Sequence, residues 1–549
     1  MTCSGKTYLF ATAGLLLCMG LVADEDAPRR EPATSQVIVQ GTDVETVREA
    51  VLAVGGEITH ELGIIRAVAA HLSEEQIKGL RRQEGITRIH ANRRAAVSSM
   101  GGSHPAAPYP SQLGARALHD EGVTGWGVTV AVLDTGFDKK TGDKFRLLAH
   151  YDAIADQSLS VNVVSDGHGH GSHVQSIILN DESADGPGGA ANGIAPAADL
   201  VVVKAFSDDG SGSYADVIRG LDWVVANAAT YGIRVLNLSF SAEPRSHYWE
   251  DPMAQAVMAA WQAGLFVVAS AGNTGPDAMT IGVPGNVPYV MTVGAMSDAE
   301  TPDNSTDDFL ASFSSAGPTY EGFIKPEVVA PGGHVTAMMD KHSELAEAHD
   351  EYHDGGRYFI MSGTSQAAAM VSGAAALMFE ADSSLSPADV KCRLMASAKP
   401  AVKSDGTAAY SVFQQGAGLV DAYGAVYATI SGCANYGLDI HADVAGNQHF
   451  GGRAHQAADG TYFIDGVDGY SWDGLYSWNS GFVWPDGFVW PDGFVWPDGF
   501  VWPDGFVWPD GFVWPDGFVW PDGYAWPDGF VWPDGLTNTM PVATWVAQE

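Results

Sequence analysis

The sequence predicts an α/β fold: a mainly parallel sheet with helices on both faces, preceded by a small α+β domain and followed by a repeat tail. Three observations lead there. Between residues 112 and 430, apolar strand-like runs alternate with helix-like segments, the pattern of a parallel sheet covered by helices. The clearest runs, at 128–133, 200–205, 235–239, 265–270 and 289–293, are almost continuously apolar, as strands buried on both faces are. Finally, an apolar run at 359–361 passes through Ser362-Gly363-Thr364-Ser365 into an Ala-rich stretch that reads as a buried helix. A side chain at such a strand-to-helix turn lies near unpaired N–H groups that favour negative charge.

The 549 residues exceed one typical domain. A formal net charge of −38 argues against nucleic-acid binding, which needs a basic face, and selects no function by itself. Residues 1–23 carry a single lysine, Lys6, then an apolar run before Asp24-Glu25-Asp26. That is the pattern of a cleaved secretory signal, too short and wrongly flanked for a membrane span. Of the four cysteines, Cys3 and Cys18 fall in this leader, leaving Cys392 and Cys433 without any Cys-x-x-Cys spacing. Export places those two in a compartment that permits a disulfide between them.

Residues 36–92 read as a compact α+β unit. Strands are expected at 37–39, 64–72 and 86–89, with a helix at 44–54 that ends at Gly55-Gly56. A second helix is capped by Ser73, with Glu75 and Gln76 in its first turn. The Gly/Ser/Pro-rich stretch around 105–110 reads as an exposed linker where processing takes place.

In open α/β sheets, active residues gather outside the C-terminal strand ends. Asp134 ends the run Val130-Ala-Val-Leu133. Asp166-Gly-His-Gly-His-Gly-Ser-His-Val174 brings His170 to the start of an apolar helix at 174–179. Asn273 follows another strand, in Ser270-Ala-Gly-Asn-Thr-Gly275. Taken singly, each has an ordinary structural role: Ser365 as a helix cap, His170 as a hydrogen-bonded core residue, Asn273 as a turn former. Taken together, they form the order Asp…His…Ser of one known arrangement of the catalytic triad.

With these boxes the chain resembles the subtilisin-like serine proteases (subtilases) over roughly residues 105–430. Val130-Ala-Val-Leu-Asp-Thr-Gly136 looks like the family's Asp box and His170-Gly-Ser-His173 like its His box. Ser270-Ala-Gly-Asn273 is similar to the oxyanion box and Gly363-Thr-Ser-Gln-Ala-Ala368 to the Ser box. Lys204, Asn237-Leu-Ser239, Ser312-Phe-Ser-Ser-Ala-Gly-Pro318 and Lys325-Pro326 match further family stretches. The resemblance implies a subtilisin-like fold and a secreted serine endopeptidase. In it His170 is general base, Asp134 its orienting acid and Ser365 the nucleophile, with Asn273 stabilising the oxyanion. It also implies that 36–92 is an inhibitory, fold-assisting propeptide of an autoprocessed zymogen. Gly210, Ser211, Gly212, Ser213 and Tyr214, with Leu238, Ser239, Phe240 and Ser241, would offer extended edges to a peptide substrate. No cofactor is required for catalysis; a structural calcium ion fits the family but is located at no residues here.

The chain departs from the family pattern at Gln366, Ala369 and Ser172, none of which removes a reacting group. Phe240-Ser-Ala242 stands where relatives carry Leu-Gly-Gly, which predicts a narrower specificity pocket and smaller residues before the scissile bond. The His349-Asp-Glu-Tyr-His353 spacing is shared with zinc proteases, but Asp350 stands where those carry Glu, so the stretch reads as a charged surface loop and no metal site is expected.

Residues 433–480 read as a Gly- and Asp-rich linker. A Gly-Phe-Val-Trp-Pro-Asp hexapeptide then repeats through 481–534, before a terminal segment at 535–549. Pro-Asp-Gly is a turn signal and Phe-Val-Trp is extended. A stacked β array and an extended spacer remain open as alternatives. So do binding to cell-surface material and self-association. The rival to a secreted protease is a surface or adhesion protein whose protease domain mainly processes itself.

Overall fold

The computed structural model describes residues 34–92, 94–97, 107–139, 145–182, 191–302, 304–305, 307–476 and 482–483, with 94–97 and 482–483 described by backbone alone. The expected signal segment and almost all of the hexapeptide repeats lie outside these residues.

A 9-stranded sheet forms the centre. Arg146–Asp152, Asp199–Lys204, Thr129–Asp134, Ile233–Leu238, Phe266–Ser270, Met291–Ser297 and Val328–Pro331 run parallel in that spatial order. Antiparallel strands Gln157–Leu159 and Phe309–Leu310 lie at its edges. Four of the expected strands fall within one or two residues of their places, and the one expected at 289–293 starts at Met291 and runs on to Ser297. Arg146–Asp152 was missed because only its second half is buried, which hides the apolar run. Val328–Pro331 was missed because it is four residues long and ends in proline.

Helices cover both faces. Thr364–Ala381 is buried from Thr364 through Phe379, so it threads the core rather than presenting one face to solvent. Its Ala and Gly residues permit that closeness: a Cβ on Gly373 would sit 2.6 Å from Ile194. Tyr214–Tyr231, by contrast, buries Val217, Ile218, Leu221 and Val224 along one stripe. Ser213 caps it, accepting from the Asp216 N–H, and Gly232 ends it in the left-handed conformation (φ 65°).

The N-terminal unit has its own antiparallel sheet in the order Glu57–Leu62, Ala67–Ser73, Thr34–Gly41, Ile86–Ala91. Val44–Ala53 and Glu74–Leu80 pack on it around Val39, Val47, Val51, Val68 and Leu72. Ser73 and Gln76 form a reciprocal capping box. Glu57–Leu62 was not anticipated, its Thr, His and Glu concealing the strand. The expected strand at 64–72 begins only at Ala67, because Gly63–Ile65 is a 3₁₀ turn.

This unit docks through its sheet on Tyr214–Tyr231 and Pro252–Gln262. His60 Nε2 lies 2.6 Å from Asp216 Oδ1, Gln40 Nε2 donates to Gln255 Oε1 at 2.6 Å, and Arg219 donates to the Thr59 carbonyl at 2.9 Å. Beyond it, Arg94–Val97 leaves the unit and joins two strands of the main domain, Ser211–Ser213 and Phe240–Ser241, antiparallel to both.

Two expectations need correction. The processing linker around 105–110 is not exposed at its C-terminal end, where Tyr109 is 2% exposed and starts the helix Tyr109–Gln112. Residues 433–476 are no linker either. Cys433 is disulfide-bonded to Cys392, with Cα atoms 5.3 Å apart. The helix Ile440–Val444 buries Asp443, which accepts from the hydroxyls of Tyr248 (2.7 Å) and Tyr289 (2.9 Å). The hairpin Ala454–Gln456/Tyr462–Ile464 packs with Trp472 on Phe413. Phe482–Val483, in the first repeat, pairs with Val402–Lys403.

Candidate active site

The strand Thr129–Asp134 delivers Asp134 at its C-terminal end, fully buried. The helix His170–Leu179 begins at His170, also fully buried, whose Nδ1–H donates to Asp134 Oδ1 at 2.7 Å. Asp134 Oδ1 also accepts the Thr135 N–H. This leaves His170 Nε2 buried without a hydrogen-bond partner among the described residues. Gly169 makes the approach feasible with φ +100°; a Cβ there would sit 2.5 Å from Ser343 Oγ.

Sequence reasoning quoted Asp166 without a role. Its buried carboxylate accepts from the N–H groups of Gly169 and Ser172, the Ser172 hydroxyl and the Thr135 hydroxyl, all at 2.7–2.8 Å. Burial works to raise its pKa, but these bonds outweigh it and hold the carboxyl below the usual range. Thr135 Oγ1 in turn accepts the Gly171 N–H. Asp166 therefore locks the Asp134 turn to the His170 helix. Its place four residues before a helix-opening histidine was the available signal.

Two neighbouring imidazoles stay neutral. Burial pushes His173 down to about 3, and its Nε2 bonds to the Phe359 carbonyl at 3.0 Å. Burial pushes His168 down to about 4.

Ser365 stands one residue inside the helix Thr364–Ala381 and is 2% exposed. Its hydroxyl donates to the Ser239 carbonyl at 3.0 Å, and Ser239 Oγ donates back to the Ser365 carbonyl at 2.9 Å. Asn237 Nδ2 donates to Ser239 Oγ, while its Oδ1 accepts from Ser372 Oγ. The Asn237-Leu-Ser239 stretch thus pins the serine helix to the sheet. Asn273 follows Phe266–Ser270, and its Oδ1 accepts from both the N–H (3.0 Å) and the hydroxyl (2.8 Å) of Thr364. Its Nδ2 is buried and unpartnered. An amide oriented through its oxygen, with its N–H groups free beside a serine, is equipped to receive a developing oxyanion.

Of the expected substrate edges, Ser211, Gly212, Ser213, Phe240 and Ser241 pair with Arg94–Val97. Ser239 continues that edge to Ser365, and Gly210 is the turn before it (φ +72°). Tyr214 and Leu238 do not line the cleft: both are fully buried, Tyr214 opening its helix and Leu238 closing its central strand. In the His342–Asp354 stretch, His353 Nε2 bonds to the Met339 carbonyl at 3.0 Å. Among the described residues no group of three or more His, Cys, Asp or Glu side chains is placed to hold a metal ion.

A helix-covered parallel sheet carrying a bonded Asp–His pair, a helix-borne serine and an amide tied to that helix is the arrangement known from serine hydrolases. The chain belongs to the subtilase family, whose family model matches residues 125–423. It is 36% identical to serine protease AprX of Bacillus subtilis over 274 residues, 49% of this chain and 60% of AprX. It is 30% identical to subtilisin E of Bacillus subtilis over 347 residues, 63% of this chain and 78% of subtilisin E. An alkaline protease of Shouchella clausii is 32% identical over 366 residues, 67% of this chain and 80% of that protein. In fold it is similar to fervidolysin of Fervidobacterium pennivorans, described as a keratinolytic enzyme related to subtilisin. The TM-score is 0.58 at 22% identity, covering 73% of this chain and 62% of fervidolysin. The chain thus spans less than two thirds of AprX and of fervidolysin. No described helix is long and apolar enough to cross a membrane.

Proposed function

We propose that this chain is a secreted serine endopeptidase, made as a zymogen that processes itself and acts through an acyl-enzyme on Ser365. The observation that carries the zymogen reading is the position of Arg94–Val97. It lies as the middle strand of three, Ala95 opposite Gly212 and Val97 opposite Phe240. That is how an extended peptide is bound by strand addition. The edge it follows continues one residue further to Ser239, whose carbonyl holds the Ser365 hydroxyl. The bond offered to Ser365 therefore falls within a residue or two after Val97 rather than in the 105–110 stretch, and the docked unit before it would act as inhibitor until released.

In the reaction the Ser365 hydroxyl leaves the Ser239 carbonyl for His170 Nε2, which takes its proton as oxygen attacks the peptide carbonyl. Asp134 fixes the imidazole tautomer and stabilises its cation. The oxyanion is received by Asn273 Nδ2 and the Ser365 N–H. His170 then protonates the leaving amine, and water repeats the sequence to free the acid. The leader-like residues 1–23 and the disulfide between Cys392 and Cys433 support export.

The test is expression of the full chain beside Ser365→Ala. The native chain should shorten to a form whose N-terminus lies within a few residues of 98, label with a fluorophosphonate and digest an added protein. Ser365→Ala should stay full length and unlabelled. Labelling without turnover of any added protein would favour a self-processing surface protein instead.

A further inference from the structure

Three stretches meet beside Ser365 to enclose a slot. One wall is the edge running from Ser239 to Ala242. The floor is Ala271-Gly272-Asn273, tied to the serine helix by the Gly272 N–H donating to Thr364 Oγ1 at 3.2 Å. The far end is Ile281-Gly282-Val283, held to the edge by paired bonds between Ala242 and Val283 (2.9 and 2.8 Å) and to the floor by the Gly282 N–H on the Ala271 carbonyl (3.0 Å). Ser239 and Asn273 bring these stretches beside Ser365, so the residue preceding a bond cut by Ser365 would place its side chain against them.

Gly272 and Gly282 face each other across this slot, and one side chain stands between them. A Cβ on Gly282 would sit 1.9 Å from Ser241 Oγ, and a Cβ on Gly272 would sit 3.0 Å from the same atom and 2.9 Å from Ser315 Oγ. The neighbours of Ser241 do not share its position. Phe240 is buried against Phe206, ring centroids 5.0 Å apart, and Ala242 is occupied in the bridge to Val283. The room the two glycines leave is therefore taken up by a hydroxyl, with a second hydroxyl on the floor.

We infer that Ser241 is the specificity-determining residue of this cleft: its hydroxyl stops the slot, restricting the enzyme to bonds that follow a small residue such as Ala or Ser. The inference rests on the endopeptidase reading above. The chain's own sequence agrees, since Ser98-Ser99 follows Val97. One methylene more or less in such a pocket changes selectivity by about 10–200-fold, so removing the stop should be plainly measurable.

The test is kcat/KM on peptides that differ only in the residue before the cleaved bond, Ala, Ser, Leu or Phe. The native enzyme should favour Ala and Ser over Phe by at least about tenfold per methylene-scale step. Ser241→Gly should shift the Phe/Ala ratio toward Phe by at least about tenfold, and Ser241→Ala, which disturbs the backbone less, by a smaller amount in the same direction. Equal or faster native cleavage after Phe, or a ratio that neither substitution moves, would overturn the assignment. Labelling of Ser365 by a small fluorophosphonate is read in the same samples. A flat ratio with labelling intact counts against Ser241 alone, whereas failure of the native protein to label removes the endopeptidase reading and this inference with it.

Discussion

Thr364 holds Asn273 by its carbonyl oxygen twice over, with N–H and hydroxyl both donating to Oδ1 at 3.0 and 2.8 Å. The consequence is at the other end of the amide, where Nδ2 is buried and bonded to nothing in the described structure. An unpartnered buried donor is costly, and in the proposed reaction that cost is offset when the oxyanion forms.

Asn273→Ala should therefore lower kcat by about 10²–10³-fold with KM little changed, a range known from subtilisin. Thr364→Val keeps the backbone donor and loses the hydroxyl, so Asn273 is held by one bond instead of two. A loss of kcat on the order of tenfold, largely restored in Thr364→Ser, is expected. Equal kcat in all three proteins would show that amide orientation does not limit turnover.

The four groups of the site were legible in the sequence because each stands where a strand stops or a helix starts, and glycines mark those places. Asp134 and Asn273 follow apolar strands, while His170 and Ser365 open helices; the structure bonds His170 to Asp134 and holds Asn273 to Thr364, the residue before Ser365. What holds them there was only partly legible. Of the four bonds of Asp166, those to Gly169 and Ser172 are local and follow from its place ahead of His170, but the one to Thr135 spans 31 residues and nothing in the sequence announces it. The extension at 433–476 was hidden for a different reason. Its composition is that of a loop, and its order comes from a few anchors (Asp443, Trp472 and the Cys392–Cys433 bridge) whose partners lie elsewhere in the chain.

Those anchors make the extension part of the stability of the main domain. Trp472 is 8% exposed and lies 5.5 Å from Phe413, ring to ring. Trp472→Ala should destabilise by about 3–5 kcal/mol. Reducing the disulfide, which closes a sequence separation of 41, should cost roughly 4 kcal/mol by loop entropy. Denaturant unfolding monitored by near-ultraviolet dichroism measures both. Midpoints unmoved by either change would mean that the extension rests on the domain without supporting it.

Asp308 is the carboxyl with the most to gain from a proton. It is 8% exposed, its Oδ1 has no partner among the described residues, and burial, with Asp298 and Asp307 nearby, pushes its pKa up to about 7. A folded-state value above the ordinary 3.8 means the folded protein binds the extra proton more tightly. The resulting stabilisation is complete below about pH 4 and disappears as pH rises through about 7, at up to about 1.4 kcal/mol per pH unit between them. Asp308→Asn keeps the shape without the charge, so it should unfold at a higher temperature than the native protein at pH 8 and lose this advantage toward pH 4. Thermal midpoints that run parallel across that range would count against it.

The His60–Asp216 contact is the shortest polar link between the N-terminal unit and the rest of the chain, along with Gln40–Gln255, at 2.6 Å. Both side chains are mostly buried, 11% and 16% exposed. Asp216 keeps other partners if His60 is lost, since its Oδ2 accepts from Ser213 Oγ at 2.6 Å and Arg219 lies 3.9 Å away. Removing His60 should thus weaken docking without stranding a bare charge, by about 1.5–3 kcal/mol for a hydrogen bond to an ionised group. If the unit restrains the cleft as proposed, His60→Ala should shorten the lag before protease activity by roughly tenfold or more, at unchanged final kcat. Asp216→Asn should shorten it too, and the double substitution should add little to either, the mark of a direct pair. Additive effects would place the restraint elsewhere on the docking face, with Gln40 and Arg219 the next residues to substitute.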